Sequence, residues 1–491
     1  MKTMLKTFSA VALLGTLALR PAFADDTTTV AAPTDTASDT TPTDAKDQKD
    51  LKKVIEDQGI NYVETAQKGI TLSGYVDTSY TYQFAGGGEY GPLGQNPGTG
   101  PGNSHALLHQ FDVSNNTFNI DAVKIALEKA LPDKNEWAAG FRIDTIYGQD
   151  AQFLGDTALN GKTTTGTGTI NNSGLALEQA LVKFRIPVGN GLDIYAGKFV
   201  TFLGYEVIES PANLNFSRGL LFTNLIPLTH TGVYADYKFN STFEAKLGIV
   251  DGWNNSTSGS VGSGGFTSAS TVAAAPGAVT PGTTNAAAGT NDSSSFGKAI
   301  TGQLNINAPG GNANITQSFI YSPDGEPGVV GKDNGGLAVY DIWGNWNPTF
   351  VKDSALLLGF NFDFGYNSSS GQPYIQANQV GIPDTNTFWG AALYAQYKFS
   401  KVFSLAGRGE YIHSDEAVNP KFGAGGTFGS NGGFTPGEQD DYSFTLTASF
   451  NVWDNLLTRV EYRLDDLSGN TTGEGRETLQ HEISLNAVYS F

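Results

Sequence analysis

The chain ends with the stretch LQHEISLNAVYSF, residues 479–491, in which apolar and polar side chains alternate almost without interruption. One face carries Leu479, His481, Ile483, Leu485, Ala487, Tyr489 and Phe491. The other face carries Gln480, Glu482, Ser484, Asn486 and Ser490. This alternation predicts a β-strand with one apolar and one polar face. A strand that runs to a final aromatic residue is typical of outer-membrane β-barrels, whereas the ends of soluble domains usually fray.

The first residues, MKTMLKTFSAVALLGTLALRPAFADD, have the pattern of a secretory signal. Lys2 and Lys6 precede a short apolar run over residues 8–19, and the tripeptide AFA at 22–24 matches a small-x-small cleavage site. We therefore expect residues 1–24 to be a signal peptide that is removed on export.

Beyond this signal, no apolar stretch approaches the roughly 18–20 residues that a membrane-spanning helix needs. An exported chain embedded in a membrane must then satisfy its backbone hydrogen bonds as a closed β-barrel. The net charge of −19 argues against nucleic acid as a partner, because nucleic acid selects basic surfaces. The chain has no cysteine, and at this length it does not need disulfides for stability.

Residues 25–68 form a leader that differs in composition from the rest of the chain. Its first part, 25–44, is rich in Thr, Asp and Pro, which predicts disorder. Residues 45–68 are charged, with apolar residues spaced for a short amphipathic helix. This helix could be a solvated spacer, a short coiled coil or a cover for the barrel mouth, and we expect the whole leader to lie in the periplasm.

From Gly69 to the end, the pattern is that of β-strands, and we count sixteen. The first begins just after Gly69. The others are expected near 116–129, 135–147, 175–186, 191–199, 231–240, 242–252, 299–307, 312–322, 336–346, 354–366, 386–399, 401–413, 440–450, 456–465 and 479–491. Segments 116–129 and 191–199 alternate poorly, so each either contains a bulge or has a misplaced boundary.

The connectors between the predicted strands alternate in length. Those after even-numbered strands are short, and those after odd-numbered strands are long: 85–115, 148–174, 200–230, 253–298, 323–335, 367–385, 414–439 and 466–478. This pattern places tight turns at one rim and loops at the other, as in outer-membrane barrels with periplasmic turns and extracellular loops. Residues 69–491 are thus predicted to form a closed antiparallel transmembrane β-barrel of about 16 strands. An even number of strands puts both termini in the periplasm. The Gly-rich connectors 86–104, 253–298 and 423–437 are expected to be exposed and mobile.

Four short motifs within residues 178–239 resemble the OmpL-like β-barrel porin family of Gram-negative bacteria. They are GNGLDIYAGKF at 189–199, GYEVIE at 204–209, SRGLLF at 217–222 and IPLTHTGV at 226–233. The resemblance is specific over about sixty residues and is limited elsewhere to barrel-type alternation. It implies an outer-membrane barrel with a pore role, and it implies neither catalytic residues nor a known substrate.

The connector 200–230 contains these motifs and is unusually rich in apolar residues for a loop. So apolar a segment is not expected to remain in water as a flexible tip. We expect it to fold into the lumen and narrow the pore, with Glu206, Glu209 and Arg218 as its charged, pore-facing side chains. The alternatives are a folded cap on the outer rim and a contact with a neighbouring subunit.

Charged residues on several predicted strands fall opposite the apolar face and should therefore point into the lumen. These candidate pore-lining residues are Arg142, Asp144, Lys183, Arg185, Arg408, Glu410, Arg459, Glu461 and Arg463. Opposed charges across a pore bias its ion selectivity. The alternative is that these side chains pair with each other and brace the wall.

Catalytic and metal-binding patterns are weak. His105 and His109 have the i, i+4 spacing of helical metal ligands, but they lie in a Gly/Pro-rich stretch, and the chain has neither HExxH nor GxSxG. We therefore expect no enzyme, no cofactor and no metal. The GxGxxG-like runs lack the strand–helix context of phosphate loops.

Two functions remain. The first is an outer-membrane porin for passive diffusion of small polar solutes or ions. The second is a non-conducting barrel that acts as a surface adhesin, receptor or envelope anchor through its long loops. The expected partners are outer-membrane lipid and lipopolysaccharide, the diffusing solutes and, as a further expectation, two more copies of the chain in a homotrimer.

Overall fold

The structure is a computed structural model that describes a defined part of the chain. The described residues are 69–85, 109, 111–112, 116–132, 134–154, 175–252, 298–323, 336–367, 386–415, 439–468 and 479–491. The predicted signal peptide and leader lie outside these residues, and so do the Gly-rich connectors except for Lys298.

Sixteen antiparallel strands form one closed barrel, as the alternation predicts. They are β1 Ile70–Ala85, β2 Thr117–Lys129, β3 Ala138–Tyr147, β4 Leu175–Ile186, β5 Leu192–Val200, β6 Thr229–Lys238, β7 Phe243–Val250, β8 Ala299–Asn307, β9 Ala313–Ser322, β10 Leu337–Trp346, β11 Leu356–Asn367, β12 Asn386–Lys398, β13 Phe403–Ser414, β14 Gln439–Trp453, β15 Leu456–Ser468 and β16 Leu479–Ser490. Each strand pairs with its neighbours in the chain, and β1 pairs with β16 to close the barrel. The closure extends to the last residue, since Gly74 and Phe491 exchange two backbone hydrogen bonds of 2.9 Å.

The predicted alternation of short and long connectors is confirmed by the strand boundaries. Connectors after even-numbered strands span at most nine residues, and the shortest, between β14 and β15, is 454–455. Connectors after odd-numbered strands are longer throughout, so all of them lie at the opposite rim. We call the two ends of the barrel the short-turn rim and the long-loop rim.

The two faces of the wall differ as a period-two pattern requires. On β14, Tyr442 and Phe444 are 51% and 49% exposed on the outer face, whereas Ser443, Thr445 and Thr447 are buried on the inner face. Apolar side chains outside and polar side chains inside are the arrangement that lipid around the barrel and water within it demand.

Register shifts explain one of the two poorly alternating segments. Asp77 of β1 pairs with Ala122 but Thr78 pairs with Ile120, so Asp121 is an extra residue in β2. The expected bulge in segment 116–129 is thus confirmed. The second segment, now β5, pairs in continuous register with both neighbours, and the predicted boundary is one residue too early.

Helical structure among the described residues is limited to one short α-helix, α1 Leu220–Asn224, and three 3-10 helices at Asp150–Phe153, Ser210–Ala212 and Lys352–Ser354. None of these helices has the length and hydropathy needed to cross a bilayer. The predicted connector 200–230 is corrected to 201–228, because backbone pairing between Val200 and Thr229 extends β5 and β6. We call residues 201–228 the inner segment.

Candidate pore constriction

The inner segment leaves and re-enters the wall at one point. Val200 and Thr229 are paired in the sheet, and the N–H of Thr201 donates to the carbonyl of Leu228 over 2.9 Å. All of the residues between them therefore form a single excursion from the β5–β6 hairpin. Its direction is given by the inner-face residues that it contacts.

The first part of the excursion crosses to strands β8–β12. Gln303 and Ser318, on β8 and β9, both donate to the carbonyl of Phe202 over 2.8 Å. The Tyr205 ring stacks on Tyr394 of β12 with centroids 4.1 Å apart. The Tyr205 backbone N–H donates to Asn361 of β11 over 2.9 Å. These contacts attach the segment to wall strands two to six positions beyond its own hairpin.

Two glycines in the wall make room for this crossing. A Cβ atom on Gly359 of β11 would lie 2.7 Å from the Tyr205 hydroxyl oxygen, and one on Gly390 of β12 would lie 2.7 Å from Leu225 Cδ1. Both distances are too short for van der Waals contact, so larger residues there would push the segment away from the wall. The close fit indicates that wall and segment are packed as one core.

Glu461 of β15 holds the middle of the segment by accepting two backbone hydrogen bonds. Its carboxylate oxygens accept from the N–H groups of Phe216 and Ser217 over 2.6 and 2.9 Å, and Thr447 of β14 donates to one of them over 2.7 Å. Hydrogen bonds to an ionised carboxylate are stronger than those between neutral groups. This residue therefore fixes the segment to the β14–β15 side of the lumen.

Arg408 of β13 is the centre of a second attachment. Its guanidinium lies 2.6 Å from a Glu206 oxygen and 2.8 Å from Glu410, and it donates to the Ser217 carbonyl over 2.6 Å. The other Glu206 oxygen accepts from the N–H of Gly219 over 2.6 Å. Because Arg408 is only 1% exposed, its charge depends on these partners.

The remaining buried arginines also donate to the backbone of the segment. Arg459 donates to the carbonyls of Ser210 and Asn215 over 3.0 and 3.2 Å. Arg463 donates to the carbonyl of Arg218 over 2.8 Å. Arg218 itself pairs with Asp150, 3.4 Å away, in the connector after β3. These contacts complete a path of attachments across the lumen.

Lys124 of β2 also contacts the inner segment, although it is not among the residues that the sequence predicts for the lumen. Its ammonium lies 2.5 Å from Glu178, 2.5 Å from Glu209 of the inner segment and 3.1 Å from Asp144. Partial burial raises the pKa of Glu209, but the nearby Lys124 ammonium outweighs this and lowers it overall. Lys124 thus contacts three carboxylates at once and ties the segment to the wall beside β1.

Bulges bring extra carboxylates to the inner face. Register shifts make Asp121 an extra residue in β2 and Glu178 an extra residue in β4. Asp121 and Glu178 are buried, at 1% and 0% exposure, and each has a buried residue next to it in the chain. In a regular strand, adjacent residues would point to opposite faces, so the bulge is what places both on the inner face. Two features of the sequence mark Lys124. It is flanked by apolar residues, and it lies four positions before Glu128 on the same face of the strand.

The structure divides the twelve predicted lumen residues into two groups by exposure. The docking group is nearly buried and holds the inner segment or its contacts: Asp144, Glu206, Arg218, Arg408, Glu410, Arg459, Glu461 and Arg463. The vestibule group retains accessible side-chain surface: Arg142 at 29%, Glu209 at 23%, Arg185 at 18% and Lys183 at 11%.

The three strand residues of the vestibule group lie toward the short-turn rim and have acidic partners. Arg142 pairs with Asp144, 2.9 Å away, and Lys183 pairs with Glu128. Arg185 pairs with Asp193, 2.7 Å away. Both signs of charge are thus present along this part of the inner face, and these charges are paired.

A closed barrel with an apolar exterior, a polar interior and a segment folded across the lumen defines the porin class of outer-membrane proteins. The family described as "Putative beta-barrel porin-2, OmpL-like" matches residues 69–491. The chain belongs to this family, which confirms the resemblance read from the four motifs. Comparison with curated proteins found no match.

Several solved structures are similar to this chain. The channel DcaP of Acinetobacter baumannii is 12% identical, with a TM-score of 0.50 over 86% of this chain and 97% of that one. OmpF of Salmonella typhi is 12% identical, with a TM-score of 0.49 over 86% and 97%. The anion-selective porin of Comamonas acidovorans is 12% identical, with a TM-score of 0.47 over 86% and 99%. At 12% identity, the similarity to DcaP concerns the fold alone.

Proposed function

We propose that the protein is a porin that lets small polar solutes or ions diffuse passively through a water-filled pore, narrowed by the inner segment. The observation that carries the proposal is the attachment of residues 201–228 to β2, β8–β11 and β13–β15 by hydrogen bonds and ion pairs. A barrel of ~16 strands leaves a water-filled channel unless something fills it. A segment docked this way reduces the cross-section of the channel and does not block it.

Within this proposal, the two groups of lumen charges have different roles. The docking group positions the constriction, because its members bind the segment and are shielded from water. The three strand residues of the vestibule group, together with Glu128 and Lys246, border the solute path on the short-turn side, where their side chains keep 11–29% exposure. Mobile ions are affected most by charges that they can approach through water.

Outer-membrane lipid and lipopolysaccharide are the proposed surroundings of the apolar outer face, and both termini are proposed to be periplasmic. An even strand number and short turns on the terminal side support this orientation. An epitope inserted in the turn 454–455 should be shielded from antibody in intact cells, and labelling of intact cells would contradict the orientation. The homotrimer stays a prediction from the sequence.

The function is tested by the ion conductance of the refolded full barrel in a planar bilayer. Stepwise, long-lived openings are expected, because a barrel of this strand number holds a water-filled channel and the vestibule side chains keep solvent-accessible surface. An inserted barrel that carries no current would contradict the porin proposal and favour the surface role as adhesin, receptor or anchor. Insertion is verified independently by protease protection of the reconstituted protein.

A further inference from the structure

His109 lies in the connector between β1 and β2 and is buried among acidic groups from the other end of the chain. Its Nε2 lies 2.8 Å from Asp465 of β15, and its Nδ1 lies 2.9 Å from Asp112 and 3.8 Å from Glu482 of β16. This cluster is separate from the vestibule and faces the long-loop half of the barrel, since Asp465 is near the end of β15 and Glu482 near the start of β16.

The cluster has unpartnered polar atoms. Among the described residues, neither oxygen of Asp112 nor Oε1 of Glu482 has a hydrogen-bond partner, although these residues are only 5% and 4% exposed. His109 Nδ1 and Asp112 Oδ2 lie 2.9 Å apart without the orientation of a hydrogen bond. The Arg463 guanidinium also lies 3.6 Å from Asp112 Oδ2, but buried carboxylate oxygens that accept no hydrogen bond are costly, so the cluster offers oxygens to a further ligand.

The side chains are arranged as in a metal site, with three candidate ligands and a further carboxylate that orients the histidine. The ligand atoms of His109, Asp112 and Glu482 lie within 4.8 Å of one another, and small side-chain rotations would bring them to the ~2.0–2.2 Å that Zn²⁺ requires. Asp465 contacts the opposite ring nitrogen, which is how carboxylates commonly orient metal-binding histidines. Arg463 contacts Asp465 at 3.0 Å and thereby fixes that carboxylate.

The charges are also consistent with a dication. When Asp112, Glu482 and Asp465 are all ionised, as metal binding requires, the cluster has three negative charges against one positive charge on Arg463. With a neutral imidazole on His109, a divalent cation makes the buried cluster neutral. Imidazole nitrogen together with carboxylate oxygen suits Zn²⁺ and similar transition ions better than Ca²⁺ or Mg²⁺, which prefer oxygen ligands alone.

We propose that His109, Asp112 and Glu482 bind one divalent transition-metal ion of the Zn²⁺ class, with Asp465 as the positioning residue for His109. The ion links the connector after β1 to β15 and β16. Through Arg463, which donates to the Arg218 carbonyl, the site is also connected to the inner segment. The site does not depend on whether the barrel conducts.

The test is Zn²⁺ binding by the refolded full chain, produced without a polyhistidine tag and measured by calorimetry and by metal analysis after dialysis. The wild type is expected to retain one Zn²⁺ per chain. His109→Gln and Glu482→Gln should each weaken binding at least about 100-fold, and Asp465→Asn should weaken it roughly 10–100-fold. His413→Gln is the matched control, because His413 also lies between two aspartates, at 2.9 and 3.2 Å, but is partly exposed.

Absence of stoichiometric Zn²⁺ in the wild type, or equal binding by His109→Gln, would overturn the proposal and leave a hydrogen-bonded histidine–carboxylate cluster. Equal loss in the His413→Gln control would assign the metal to surface histidines and likewise overturn it. If a variant fails to fold, Co²⁺ added to the wild type provides a second test. The proposal requires the visible d–d spectrum of nitrogen and oxygen coordination, and an unchanged aqueous Co²⁺ spectrum contradicts it.

Discussion

Replacement of residues 203–226 by a Gly/Ser linker of about four residues is expected to raise the single-channel conductance at least about twofold. Thr201 and Leu228, which flank the deleted stretch, are hydrogen-bonded to each other over 2.9 Å, so a short turn can close the β5–β6 hairpin. The docking arginines and glutamates of the wall would then face water and remain charged. The gain arises because the segment no longer occupies the middle of the lumen.

The matched control inserts the same linker between Asn240 and Ser241, in the short turn that joins β6 and β7. This insertion changes chain length at the rim and leaves the lumen as it is, so its conductance should equal that of the wild type. Equal conductance of all three proteins, with insertion of each verified, would contradict the assignment of residues 201–228 as the constriction.

Lys124→Met is expected to lower the free energy of unfolding by roughly 3–5 kcal/mol, because removal of one partner leaves buried charges uncompensated. Lys124 is 3% exposed and is shared by Asp144, Glu178 and Glu209. Methionine follows the lysine side chain to Cε, with sulfur in place of Cδ, and lacks the ammonium. The measurement is denaturant unfolding of the refolded barrel in detergent, at neutral pH and under reversible conditions.

The control for this variant is Lys246→Met. Lys246 also lies on the inner face, but its side chain is 23% exposed and its partner Glu244 is 3.8 Å away. Solvent-accessible pairs of this kind contribute about 0–1 kcal/mol. A loss in Lys246→Met as large as that in Lys124→Met would show that any lumen lysine has this effect and would contradict the specific role of Lys124.

The effect of Lys124→Met also has a definite dependence on pH. In the wild type, the Lys124 ammonium lowers the pKa of Glu209 below its ordinary 4.5. Their contact therefore stabilises the fold above pH 4.5 and is lost as the pH falls through the lowered pKa. The difference between wild type and variant should shrink below pH 4.5, since protonated carboxylates no longer need the cation.

Alternation of side chains is a local property, and for that reason the strands and their order could be predicted from the sequence. The C-terminal strand was expected at 479–491 and ends at Ser490, with Phe491 still bonded to Gly74. Boundaries were less accurate where a neighbouring strand decides them. The predicted start of β6 at 231 is corrected to Thr229, because Phe199 and Val200 of β5 pair with His230 and Thr229.

The division of lumen charges into docking and vestibule groups could not be predicted. Alternation shows which face a residue occupies, but not what covers that face. Glu461 is buried because the backbone N–H of Phe216, 245 positions earlier, binds it. Arg142 has the same sequence character and is partly exposed, because it lies toward the short-turn rim, away from the main contacts of the segment.

Residues beside bulges and at the barrel closure were missed for related reasons. Glu178 is an extra residue in β4, and the period-two pattern assigns such residues to the wrong face. His109 was paired with His105 by sequence spacing, whereas the structure surrounds it with Asp465 and Glu482. Those two residues become neighbours of the first connector only when β16 pairs with β1.

Cross-linking tests the central claim, that the inner segment lies across the lumen of a closed barrel, most directly. The chain has no cysteine, so Asn215→Cys and Thr447→Cys can be introduced as its only thiols. The Asn215 amide donates to the Thr447 hydroxyl over 2.6 Å in the barrel interior. A short bifunctional thiol reagent should join the two cysteines in the folded barrel. Failure to join them, while each single cysteine reacts readily with a bulky thiol reagent from outside, would contradict the claim.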